Sequence, residues 1–94
     1  MGILEEVLGQ NARITILETM LKNRGKITYL SGLAEETGLS HSTVSRVIED
    51  LVRIGLVGEE PLGKQTKIFR LNEESELTQL VITFYQDLEN LQDK

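Results

Sequence analysis

Ninety-four residues with 39% hydrophobic side chains suffice for one small domain and exclude a large core. The absence of cysteine excludes disulfides, thiolate metal sites and cysteine nucleophiles together, and no apolar run reaches the length of a membrane span. The net charge of −5 resides at the C-terminal end: residues 1–72 hold nine Lys or Arg against nine Asp or Glu, whereas residues 73–94 hold six acids and one Lys, so the rest of the chain can still present a basic face.

The chain opens with "MGILEEVLG", read as a short helix over residues 3–8 ending at Gly9. Two glutamates in its apolar run, with no basic region before it, do not fit a signal peptide, and Glu6 breaks the myristoylation pattern. A cytoplasmic location is the expectation, in keeping with the missing cysteines. Asn11 is a good N-cap for a second helix, "ARITILETMLKNR", whose Ile14, Ile16, Leu17, Met20 and Leu21 make a broad apolar stripe. Lys22 and Arg24 suit its last turn and Gly25 closes it. "KITYL", β-branched and aromatic, reads as a brief strand. A third helix over 31–37 turns Leu33 and Ala34 inward and stops at Gly38.

Ser40 then caps a helix in which Val44, Ile48 and Leu51 recur at spacings of four and three, one face of an amphipathic helix that stops at Gly55. "LVGEE" and "TKIFRLN" read as two short strands, with "PLGKQ" as the hairpin loop between them. Asn72 or Ser75 caps a last helix reaching about residue 92. The expected fold is mainly α with a small β-hairpin: two helices joined by the tight turn "TGLS", a hairpin, and a C-terminal helix. Residues 1–72 form the first unit and 73–94 the second.

The segment "LAEETGLSHSTVSRVIEDLVRIGLV", followed by "GKQTKIFRL", resembles the winged helix-turn-helix regulators of ArsR/MarR type, particularly small archaeal ones. The likeness covers roughly residues 11–72. It implies a DNA-binding repressor, usually a homodimer, with the second motif helix in the major groove and the hairpin, or wing, on the flanking backbone or minor groove. Metal sensing in ArsR-type proteins uses Cys or clustered His; this chain has no Cys and one His, so no metal and no cofactor is expected.

On this reading the small polar start of the helix after Ser40 has a purpose. Ser40, His41, Ser42, Thr43 and Ser45 allow close approach to DNA and offer hydroxyls to phosphates or base edges, and the helix N-terminal amides favour phosphate. Arg46 has the reach and fork geometry for a guanine edge. Val47 sits at the rim of the core or meets a thymine methyl. A bare acid at Glu49 on this face would repel phosphate unless it accepts from a cytosine N4; a local pair with Arg46 or Arg53 is the preferred expectation. On the wing, Lys64 and Gln65 mark the tip, with Lys67 and Arg70 along one strand toward phosphates. The stretch Gly58 to Gly63-Lys64 nearly spells a phosphate-binding loop, but Gln65 stands where Ser or Thr would hold magnesium, Glu59 and Glu60 lie inside it, and a strand follows where a helix is required.

In the last helix Leu77, Val81, Phe84, Leu88 and Leu91 recur at four, three, four, three, a seam suited to a second copy of the chain, with Leu80 and Tyr85 widening it. No pairing of carboxylates, no Ser/His/Asp order and no metal cluster indicates an enzyme. Two functional classes remain: a dimeric sequence-specific regulator bound to double-stranded DNA, or a winged helix serving as a protein–protein interaction module in a larger assembly.

Overall fold

The computed structural model describes residues 2–93; Met1 and Lys94, the outer ends of the two expected units, lie outside the described residues. The elements run α1 (Ile3–Leu8), α2 (Ala12–Lys22), α3 (Leu30–Thr37), α4 (His41–Arg53), β1 (Val57–Leu62), β2 (Thr66–Leu71) and α5 (Glu76–Gln92). This is the mainly helical winged helix-turn-helix with a C-terminal helix that the sequence pattern predicts. Among the described residues no helix is long and apolar enough to cross a membrane.

Local chemistry sets most boundaries. Asn11 accepts the Ile14 N–H at 3.0 Å and starts α2. The helix stops at Lys22, two residues before the predicted end, because the Asn23 side chain donates to the Thr19 carbonyl at 2.9 Å and draws the chain into a turn. Arg24 is thus outside α2 and reaches Glu73 at 3.1 Å instead. "KITYL" is not a strand. Thr28 alone exchanges a pair of 2.8 Å backbone hydrogen bonds with Phe69, and Tyr29 is already the N-cap of α3, so the segment has no length left for a ladder. Gly38 closes α3 at φ 76°, a left-handed conformation that sets up the tight turn into α4 and that a side chain would disfavour.

β1 and β2 pair antiparallel, with Val57 opposite Leu71 and Leu62 opposite Thr66. Pro61 and Leu62 therefore belong to the strand, and the turn is only Gly63, Lys64 and Gln65. Ser75, not Asn72, caps α5, accepting the Thr78 N–H.

One core joins all elements: Leu4 of α1; Ile16, Leu17, Met20 and Leu21 of α2; Leu33; Val44, Val47, Ile48 and Leu51 of α4; Leu56 of the turn after it; Val57, Phe69 and Leu71 of the hairpin; Ile82 and Tyr85 of α5. Full burial of a side chain such as Ile16 or Ile48 stabilises by about 1.5–3 kcal/mol. Thr78, also buried, points its hydroxyl at the carbonyls of Gly55 at 3.2 Å and Leu56 at 3.4 Å, tying the start of α5 to the turn after α4.

Tyr85 departs from the expected seam. It is 4% exposed and packs inside its own subunit. Burial, reinforced by the carboxylates of Glu89 and Glu18, pushes its phenol well above the usual value and keeps it neutral.

Candidate nucleic-acid interface

The chemistry of the site begins with the cap of α4. The Ser40 hydroxyl accepts the Thr43 N–H at 3.2 Å and lies 2.9 Å from the Thr43 hydroxyl, so these two side chains are largely occupied with each other. Ser42 lies 3.3 Å from Ser40 and remains exposed. With Val44, Val47, Ile48 and Leu51 buried, α4 presents Ser42, Arg46, Glu49 and Arg53 along one outward stripe at spacings of four, three and four. Val47 is 5% exposed and belongs to the core, which leaves no contact with a thymine methyl.

Charge pairing on this stripe differs from the expected pattern. Arg53 pairs with Asp50 at 3.4 Å, and Asp50 also holds Arg13 of α2 at 2.9 Å. Neither Glu49 nor Arg46 forms an ion pair among the described residues. Asp50, one residue on, captures Arg53 because it lies on the flank of α4 that faces α2, where a second cation already anchors it. Glu49 instead lines a narrow cleft beneath the wing with Ser45, Glu59 and Lys67.

A second, wider groove of about 380 Å³ runs between the starts of α3 and α4 and the wing, lined by Tyr29, Ser31, His41, Gln65 and Lys67 among others. The fold thus gathers His41, Ser45, Gln65 and Lys67 around two adjoining clefts, with Ser42 and Arg46 on the outward stripe and Lys64 at the exposed wing tip. Tyr29 and Ser31 join the groove from the start of α3, and the sequence marks them only by an aromatic residue ahead of a helix start. Arg70 does not join this face. Along β2 side chains alternate, so Arg70 shares the opposite face of the hairpin with Glu60 and pairs with it there. The near phosphate-loop motif is also resolved: Gly58 to Leu62 is strand, and the element directly after Lys64 is strand β2, not a helix. Among the described residues no three His, Asp or Glu side chains are placed to hold a metal.

The IclR helix-turn-helix domain family matches residues 14–61, half of the chain. The chain belongs to this family. The match runs from α2 through the helix-turn-helix into β1, so the IclR-type region contains Ser40 to Arg46 and stops short of Lys64, Gln65, Lys67 and α5. No curated protein matches the sequence. Solved structures share the fold at low identity. A protein from Archaeoglobus fulgidus aligns with TM-score 0.70 and 22% identity, over 96% of this chain and 97% of that one. The homodimeric winged helix-turn-helix DNA-binding domain of Mb0332 from Mycobacterium bovis, described as a possible ArsR-family regulator, aligns with TM-score 0.65 and 19% identity, over 94% and 76%. The ferric uptake regulator of Francisella tularensis aligns with TM-score 0.63 and 21% identity over 71% of this chain, which spans 55% of that protein's length. Family and fold together support a DNA-binding transcription regulator, a class that typically carries no catalytic activity.

Proposed function

We propose that this IclR-type domain is a homodimeric, sequence-specific regulator of double-stranded DNA in the cytoplasm, close in organisation to ArsR/MarR repressors and acting without a cofactor. Residues 1–72 bind the duplex and residues 73–94 dimerise. α4 enters the major groove, where Arg46 reads a guanine edge and His41, Ser42 and Ser45 approach phosphates; Ser40 and Thr43 chiefly hold the cap in shape. The wing tip, Lys64 and Gln65, and behind it Lys67, lies on the flanking backbone. Repression follows from occupancy of a promoter. The observation that carries this reading is the placement of two exposed cations, Arg46 on α4 and Lys64 on the wing, neither ion-paired among the described residues.

A stripe on α5 supports the dimer. Leu77, Leu80, Phe84 and Leu91 are 42%, 69%, 43% and 66% exposed, while Ile82 and Tyr85 on the neighbouring face are buried. Val81 and Leu88 lie between the two faces and are half-covered. An exposed apolar stripe of this size on a small domain favours association, and a second α5 presents the matching surface. Fluorescence anisotropy with promoter duplexes and random duplexes tests the proposal: tighter binding to one promoter sequence supports it. Retention of no DNA even at low salt turns the reading toward an assembly module, for which the ion-paired charges of the wing speak.

A further inference from the structure

The wing carries its own counter-charges. Opposed residues of an antiparallel pair project to the same side, so the register places Glu59, Pro61, Lys67 and Phe69 together on the side of the wing facing α3 and α4. There the Lys67 Nζ lies 3.5 Å from Glu59 Oε1. Both line the cleft in which Ser45 and Glu49 of α4 stand opposite, the space between the two elements that would grip the duplex. Lys64, three residues earlier in the turn, forms no ion pair among the described residues.

We infer that Glu59 is an electrostatic brake on DNA binding, holding the Lys67 ammonium against the wing so that Lys67 meets a phosphate only by leaving Glu59. This rests on the DNA-binding reading above and adds to it the residue that sets how tightly any duplex is held. Backbone affinity comes from counterions released as lysines neutralise phosphates. A lysine already neutralised by a carboxylate exchanges one anion for another and gains little. Glu59 thereby limits sequence-independent binding while leaving base reading to Arg46 on α4. The pair is exposed, with side chains 62% and 39% accessible, so it holds Lys67 only weakly and is readily released by substitution without disturbing the core.

Glu59→Gln keeps the shape of the side chain and removes the charge. In the full-length protein it is expected to tighten binding to a random-sequence duplex by about 1.5- to 5-fold per protomer, the range spanned by an exposed ion pair. It should steepen the log affinity against log salt slope by about 0.9 per protomer, one added phosphate contact. In a Lys67→Gln background the same Glu59→Gln change should produce neither effect. Binding by the wild-type protein with Glu59→Gln equally tight overturns the brake and leaves the DNA reading intact. A gain that persists in the Lys67→Gln background also overturns it, because simple repulsion between Glu59 and phosphate then suffices. A wild-type protein that binds no duplex at low salt overturns the DNA reading itself.

Discussion

The carboxylate of Glu18, 1% exposed in the middle of α2, accepts the backbone N–H of Leu4 at 3.0 Å. It accepts the Glu5 N–H as well, at 3.1 Å. The six-residue α1 has Gly2 at its N-cap and no side-chain cap of its own, so a residue from another helix satisfies its first amides. The arrangement fixes α1 beside α2 and places the Glu18 carboxylate beside Tyr85 of α5. Glu18 thereby links α1 and α2 to α5, the helix proposed to dimerise.

Glu18→Ala should destabilise the fold by about 1.5–3 kcal/mol, the range for buried hydrogen bonds to a charged group. Gly2→Ala should act through the same contact, since a Cβ there falls 2.3 Å from the Glu18 carboxyl atoms, a clash expected to cost about 1–3 kcal/mol. Urea denaturation at fixed protein concentration measures both; wild-type midpoints for the pair would remove Glu18 from this role. Fixed concentration matters because a dimer gains apparent stability by mass action.

Phe84→Glu should convert the protein to a monomer with its subunit fold retained. Phe84 is 43% exposed and outside the subunit core, so the new carboxylate burdens only the interface, where an unpaired buried charge is strongly unfavourable. Leu88 is a poorer choice because it packs partly against its own subunit. Light scattering at low micromolar concentration, with circular dichroism for the fold, reads the outcome; a dimeric Phe84→Glu protein would move the interface elsewhere.

Much of this organisation is legible in the sequence where the chemistry is local. Asn11 and Ser40 cap the helices that follow them because a side-chain oxygen and an amide three residues on suffice; for α5 the sequence offers Asn72 and Ser75 alike, and Ser75 takes the role. On α4 the spacing gives Val44, Ile48 and Leu51 as the core face, and packing adds Val47. What the sequence withholds is which neighbour covers each part of a wide apolar surface. Periodicity groups Tyr85 with Leu77 and Phe84, but only the packing of α5 against the domain separates them into inward and outward faces. Glu18 reads as an ordinary helix glutamate, because its partners are amides fourteen and thirteen positions away. Asp50 rather than Glu49 takes Arg53 because of Arg13 on another helix. The likeness to ArsR/MarR regulators rests on features common to winged helices, whereas the match over residues 14–61 is to the IclR domain.

Arg46→Ala and Lys64→Ala should fail in different ways. Loss of Arg46 is expected to cost about 1–3 kcal/mol on the preferred site and to flatten the preference between sequences. Loss of Lys64 should weaken every duplex about equally and reduce the salt slope by about one. Anisotropy titrations on the preferred promoter and on scrambled duplexes separate the two; indistinguishable mutants would undo the division of labour between α4 and the wing.

The wild-type salt dependence should be moderate. Arg46 and Lys64 are the cations of this face without ion pairs among the described residues; on the proposed reading Arg46 goes to a base and Lys67 exchanges Glu59 for phosphate with little net release. A dimer making two to four effective phosphate contacts has a log–log slope of about −2 to −4. Its two α4 helices should occupy half-sites about one helical turn apart, so that a footprint is two-fold symmetric. The acidic C-terminal segment, residues 73–94, should lie away from the duplex, since Glu73, Glu74, Glu76, Asp87, Glu89 and Asp93 oppose phosphate. Deleting residues 73–94 should therefore weaken binding by separating the half-site readers, and also by uncovering the core that Ile82 and Tyr85 close. Phe84→Glu separates these causes because it leaves that core covered: its half-site affinity should match that of one wild-type protomer, while the gain from pairing two half-sites disappears. Footprinting and titration over increasing salt measure all three quantities. A much steeper slope, or a Phe84→Glu protein that still binds the paired site as tightly as the wild type, would show that the duplex is gripped by a surface other than α4 and the wing tip.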